Sequence, residues 1–161
     1  MSKPDMYILN HEDVIFFYDY VLSKEDRDIQ NRIRLDELTK KKKLSFEIKI
    51  SKEKLRKSTT DNPNILWIIN SDEKFEFNKT VIRHLRNAFC HKYISIENDR
   101  CKLLDWNQYN KDGKKLDFRS KNITMIGDIS YYDLQNLLME FFSQKSIQKK
   151  NKKVKQSKNE K

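Results

Sequence analysis

Glycine and proline are scarce in this chain; each occurs only twice in 161 residues. That argues against a turn-rich sandwich or barrel and favours helices joined by few tight turns. Cysteine also occurs twice, at Cys90 and Cys101, too few for a disulfide framework. Long apolar runs are missing. The longest are five residues, VIFFY at 14–18 and ILWII at 65–69, whereas a membrane helix needs roughly 20. The N-terminal stretch MSKPDMYILNHEDVIFF mixes acids among its apolar residues and has no secretory core. There is no CxxC or HxxxH spacing, no glycine-rich phosphate loop and no aromatic RNA-recognition fingerprint. These absences lead us to expect a soluble, cytoplasmic chain with no membrane partner and no metal or other cofactor.

What is abundant is charge. Charged residues make up 36% of the chain and hydrophobic ones 37%, with a formal net charge of +10. The excess is uneven: residues 145–161 hold eight lysines against one glutamate, so they carry seven of the ten surplus charges. Residues 1–144 are of ordinary balance and enough for a single core. We therefore expect one domain over 1–144. The tail over 145–161 is basic and nearly free of apolar residues, and is expected to be disordered. Such a tail can attract phosphates regardless of sequence, or simply solubilise the chain.

The periodicity predicts a helix over 11–22, a second over about 24–43, and a final one over 130–142 capped by Ser130 and Asp133. Residues 46–58 are ambiguous: Phe46, Ile48 and Ile50 alternate like a strand, while SKEKLRK reads as helix. ILWII reads as a buried segment. YISIEN (93–98) alternates like a strand, CKLLDW (101–106) is its expected antiparallel partner across Asn98-Asp99-Arg100, and Asp112-Gly113 marks a second turn. The resulting fold expectation is mainly α (α+β), a helical bundle carrying one small β-hairpin.

One stretch concentrates chemistry: VIRHLRNAFCHKY, 81–93, with two of the three histidines. A helix starting near Asn78 or Thr80 and ending near His91 or Lys92 places Val81, Ile82, Leu85, Ala88 and Phe89 in a stripe about 120° wide. Arg83, Asn87 and Cys90 fall opposite. Arg86 lies on one flank, and His84 and His91 share the other, about 140° from Arg86. Most surface positions in the chain are Lys, Asp, Glu or Asn, so this density of Arg and His exceeds what a plain solvated face needs.

Within it, LRNAFCH resembles the R-x4-H signature of the HEPN superfamily (higher eukaryotes and prokaryotes nucleotide-binding), with Asn directly after the Arg. The sequence is similar to the short plasmid- or defence-associated HEPN proteins over about 78–142. Asp105 in LLDW and the ISYYDLQNLL segment resemble their later parts. Many relatives carry Gly after the histidine, where this chain has Lys92. The resemblance implies a HEPN-like helical bundle that dimerises, with Arg and His of both motif helices lining one cleft. It also implies RNA as the target, a toxin–antitoxin or anti-phage setting, and an antitoxin protein as a further partner. A two-fold axis would converge side chains that a single helix splays.

Metal-independent RNA cleavage needs a base for the 2′-OH, a group that stabilises the phosphorane and an acid for the leaving 5′-oxygen. Histidine titrates in the right range, and the arginine fork matches phosphate oxygens. On this reading His91 is the general acid/base, Arg86 holds the scissile phosphate and Asn87 orients one of them. Arg83, His84 and Lys92 contact RNA. The products end in 2′,3′-cyclic phosphate and 5′-OH. The rivals are a HEPN-fold module that binds RNA, nucleotide or protein without cutting, and a helical interaction protein acting through its tail.

Overall fold

A computed structural model of the chain describes residues 9–51, 63–69, 76–119 and 122–144. The basic tail over 145–161 and most of SKEKLRK lie outside the described residues. The helix α1 (His11–Phe17) opens on a capping box. Asn10 accepts from the Asp13 backbone N–H at 2.9 Å, and the Asp13 carboxylate accepts from the Asn10 N–H at 3.2 Å. The predicted helix over 11–22 is continuous, but its second half, Tyr18–Leu22, winds as a π-helical turn. Phe17 and Val21 point into the core from it.

The single helix expected over 24–43 is instead two short ones, α2 (Asp26–Ile29) and α3 (Leu35–Lys41). Gln30 is extended and Asn31 sits at φ +60°, which ends α2. Arg32 braces the break, donating to the Asp28 carbonyl at 2.6 Å and the Phe141 carbonyl at 3.0 Å. The first turn of α3 is capped from another element. The buried Asn78 accepts from the Leu35 N–H at 2.8 Å and donates to the Ile33 carbonyl at 2.9 Å. The sequence suggests Asn78 as a cap for its own helix; it serves a neighbour's orphan amide instead.

The helical bundle is overturned. The chain forms a mixed α/β fold around a five-stranded sheet of order β1-β2-β5-β4-β3. The strands are β1 (Glu47–Ser51), β2 (Ile65–Ile69), β3 (Ile94–Glu97), β4 (Arg100–Trp106) and β5 (Ile123–Ser130). The helices α4 (Phe77–Cys90) and α5 (Tyr131–Ser143) complete it. β1 and β2 run parallel; every other pairing is antiparallel. The predicted hairpin is present as β3 and β4. Its two turn residues, Asn98 and Asp99, both adopt left-handed conformations at φ +50° and +59°, as a tight type I′ connection requires. The bundle expectation fails because ILWII is a strand and because 123–130 is another. A short buried apolar run has no period to tell helix from strand.

Helices cover one face of the sheet. Phe17, Leu38, Ile68, Leu85, Met125 and Phe141 are among the side chains that close this core. The opposite face carries a smaller cluster of Ile69, Leu104, Trp106 and Ile123, flanked by Trp67, Tyr93 and Phe118. The final helix begins as predicted, with the Ser130 hydroxyl accepting from the Asp133 N–H. Asp99 adds a second anchor, its carboxylate accepting from the Tyr132 N–H at 2.9 Å. No helix among the described residues is long and apolar enough to cross a membrane.

Gly127 lies in β5 between Leu66 of β2 and Leu103 of β4. A Cβ there would fall 2.7 Å from Leu66 Cδ1 and 3.4 Å from Leu66 Cα. Leu66 is fully buried and has little room to swing away. Gly127→Ala is expected to lower stability by about 1–3 kcal/mol through overpacking. The check is urea denaturation, read as a lower midpoint at unchanged slope.

Candidate functional site

β4 presents Cys101, Leu103 and Asp105 on alternate positions toward the helices. Two of the three are apolar in character; the third is a carboxylate, 5% exposed, and among the described residues the only buried acid. Asp105 pairs in register with Met125, so plain alternation along β4 aims it at α4; the irregularity that follows has its extra residue, Thr124, in β5.

Three donors meet this carboxylate. Oδ2 lies 2.6 Å from His84 Nδ1 and accepts from Asn87 Nδ2 at 3.2 Å. Oδ1 accepts from the Trp106 backbone N–H at 3.0 Å. A carboxylate oxygen accepts, so His84 meets Asp105 through its Nδ1–H, with Nε2 on the far side of the ring. The histidine itself is 6% exposed. The helical wheel placed it on a solvent-facing edge; packing of α4 on β4 buries that edge.

His91 lies at the C-cap of α4, two turns further along the same edge, and is exposed. Its Nδ1 meets the Gln108 side-chain amide, whose Nε2–H donates to it. The Tyr93 ring stands 6.4 Å away, centroid to centroid. His84, Asn87 and His91 therefore form one polar seam on α4, opposed by Asp105 and Gln108. It runs from a buried end to an open one. Lys92 follows at φ +63°, with its N–H on the Phe89 carbonyl at 3.2 Å. This is the left-handed position after a helix that glycine occupies without strain.

Arg86 is not on the seam. Its Nη2 donates to the Lys24 carbonyl at 2.6 Å, and its Nε is enclosed without a partner. It lines an open cleft of about 160 Å³ together with Asp26, Ile29, Lys79, Thr80, Ile82 and Arg83. Lys79, Arg83 and Arg86 recur at i, i+4 and i+7 along this flank, against the single acid Asp26. Of the residues singled out in the sequence, the structure gathers His84, Asn87 and His91 on one side of α4. It leaves Arg83 and Arg86 on the other. Gln108 carries no sequence signal. Asp105 carries one: a charge at an inward-facing position of an otherwise apolar strand stripe.

Among the described residues no group of three His, Cys, Asp or Glu side chains is arranged to hold a metal ion. Cys101 is fully buried, and burial pushes its thiol far above the usual range; Cys90 is exposed.

Removing the carboxylate strands buried donors. Asp105→Ala is expected to cost about 2–4 kcal/mol, by analogy with other broken buried polar contacts, and Asp105→Asn less; urea midpoints check both. A thiol reagent at neutral pH should label Cys90 alone in the native protein and both cysteines in urea. Rapid native labelling at Cys101, read by peptide mass mapping, would contradict this burial.

The chain matches no protein-family model, no curated protein and no solved structure.

Proposed function

We propose that this chain is a metal-independent endoribonuclease. The observation that carries the reading is the pair of flanks on α4. One is a seam of histidines and an asparagine ordered by Asp105 and Gln108; the other is a row of cations around an open cleft. Proton transfer and phosphate binding are the two tasks RNA cleavage sets, and these side chains suit them. His91, exposed and seated by Gln108, transfers protons to or from the ribose and the leaving oxygen. The cation row takes phosphates of the strand, with Arg86 at the scissile one. Asn87, held by Asp105, orients the reacting group. The 2′-oxygen attacks phosphorus, the P–O5′ bond breaks, and the products are a 2′,3′-cyclic phosphate and a 5′-OH.

Arg86 and His91 are about 140° apart on one helix, so the working unit is a homodimer in which Arg86 of one copy faces the seam of the other. The two-fold relation supplies both half-sites at once. A second reading, RNA binding without cleavage, is favoured by one observation: the Arg86 head group is already engaged by the Lys24 carbonyl.

The test is incubation of the purified full chain with RNA in EDTA. Cleavage to cyclic-phosphate ends is expected, lost by at least about 100-fold in His91→Ala. RNA that is bound and stays intact selects the second reading. Cleavage that EDTA abolishes, or that His91→Ala leaves unchanged, defeats the mechanism.

A further inference from the structure

The structure assigns a second proton-transfer residue, His84, oriented by Asp105; the assignment rests on the ribonuclease reading above. A solvated surface histidine needs no carboxylate, and an apolar core tolerates one poorly. Here a buried acid at an inward-facing position of β4 meets one imidazole nitrogen at 2.6 Å. The same oxygen takes the Asn87 amide and the other oxygen takes a backbone N–H. Asp105 is the charged group that meets the ring from β4; from α4 itself, Asn87 shares the carboxylate. A carboxylate oxygen accepts, so the ring meets Asp105 through Nδ1–H and leaves Nε2 as the nitrogen that can take a proton. Carboxylate-oriented histidines act as general bases in this form, with the acid stabilising the imidazolium that results.

His91 is set the opposite way. The Gln108 side-chain amide meets its Nδ1, which leaves Nε2 facing away from the amide; as an acid His91 works as the imidazolium, its Nδ1–H taken by the amide oxygen once the amide turns over. Seven residues separate the two rings, about 10.5 Å along the helix and only about 20° around it. Asn87 lies between them on the same seam. One nucleotide laid along the seam meets a base at its buried end and an acid at its open end. In the resulting step the 2′-OH proton passes to His84 Nε2 and the 2′-oxygen bonds to phosphorus. The P–O5′ bond breaks, and imidazolium His91 gives its Nε2 proton to the 5′-oxygen and becomes neutral. The rings exchange the proton back through water.

A sulfur-for-oxygen swap at the bridging 5′ position separates the roles, because a thiolate leaves without protonation whereas the base is still needed. The substrate is an RNA containing a site the wild-type chain cleaves, made with oxygen or with sulfur at that bond. On oxygen, His84→Gln, Asp105→Asn and His91→Ala are each expected to be at least about 100-fold slow. On sulfur, His91→Ala should recover to within about 10-fold of wild type, by the logic that the acid has become dispensable, while His84→Gln and Asp105→Asn stay slow. Full activity of His84→Gln on oxygen, or its recovery on sulfur alongside His91→Ala, overturns the assignment while leaving the ribonuclease reading intact. A wild-type chain that cleaves neither substrate overturns both. Circular dichroism shows whether each variant folds. If His84→Gln does not, the near-isosteric Asp105→Asn takes its place: slow on both substrates supports the assignment, and recovery on sulfur overturns it.

Discussion

β5 is hydrogen-bonded along both edges, to β2 on one side and β4 on the other. Without it the strands would fall into a parallel pair and a separate hairpin, and neither would bury a face on its own. Its central glycine permits the close approach of Leu66. Met125 and Ile129 of β5 then enter the main core, while Ile123 and Ile126 belong to the smaller cluster beyond the sheet. β5 also sets the register of β4. Asp105 pairs with Met125, and the irregularity falls one residue later. The direction in which the carboxylate faces is thus a consequence of how the two strands pair.

Helix α4 is fastened to this frame by apolar packing and by two buried polar residues. Near its start, Asn78 satisfies the first amide of α3 and the Ile33 carbonyl. Past its middle, Asp105 binds His84 and Asn87. Each is an apolar-core position occupied by a hydrogen-bonding group with its partners present, which is the condition for such groups to be tolerated. The rotation of α4 about its axis is set by these contacts together with Val81, Ile82, Leu85 and Ala88. That rotation decides which flank becomes a seam and which becomes a cleft.

Several features were legible in the sequence. Alternation in YISIEN, with Asn98-Asp99 at the turn before CKLLDW, pointed to the β3–β4 hairpin, because period-two patterning and left-handed turn residues are local properties. The apolar stripe of α4, the capping of α5 and the crowding of Arg and His in 81–93 were equally local. The sheet was not, since ILWII has no period and ITMIGDIS becomes a central strand only by pairing with two partners distant in sequence. The break between α2 and α3 depends on Arg32 and on Asn78, the latter 43 residues from the amide it caps. Helical geometry alone assigned the edge shared by His84 and His91, but treated it as uniformly exposed. Burial of one end, and the carboxylate that orders it, came from a strand 21 residues away. Local patterning therefore determined which residue types share a face, and long-range pairing decided what that face meets.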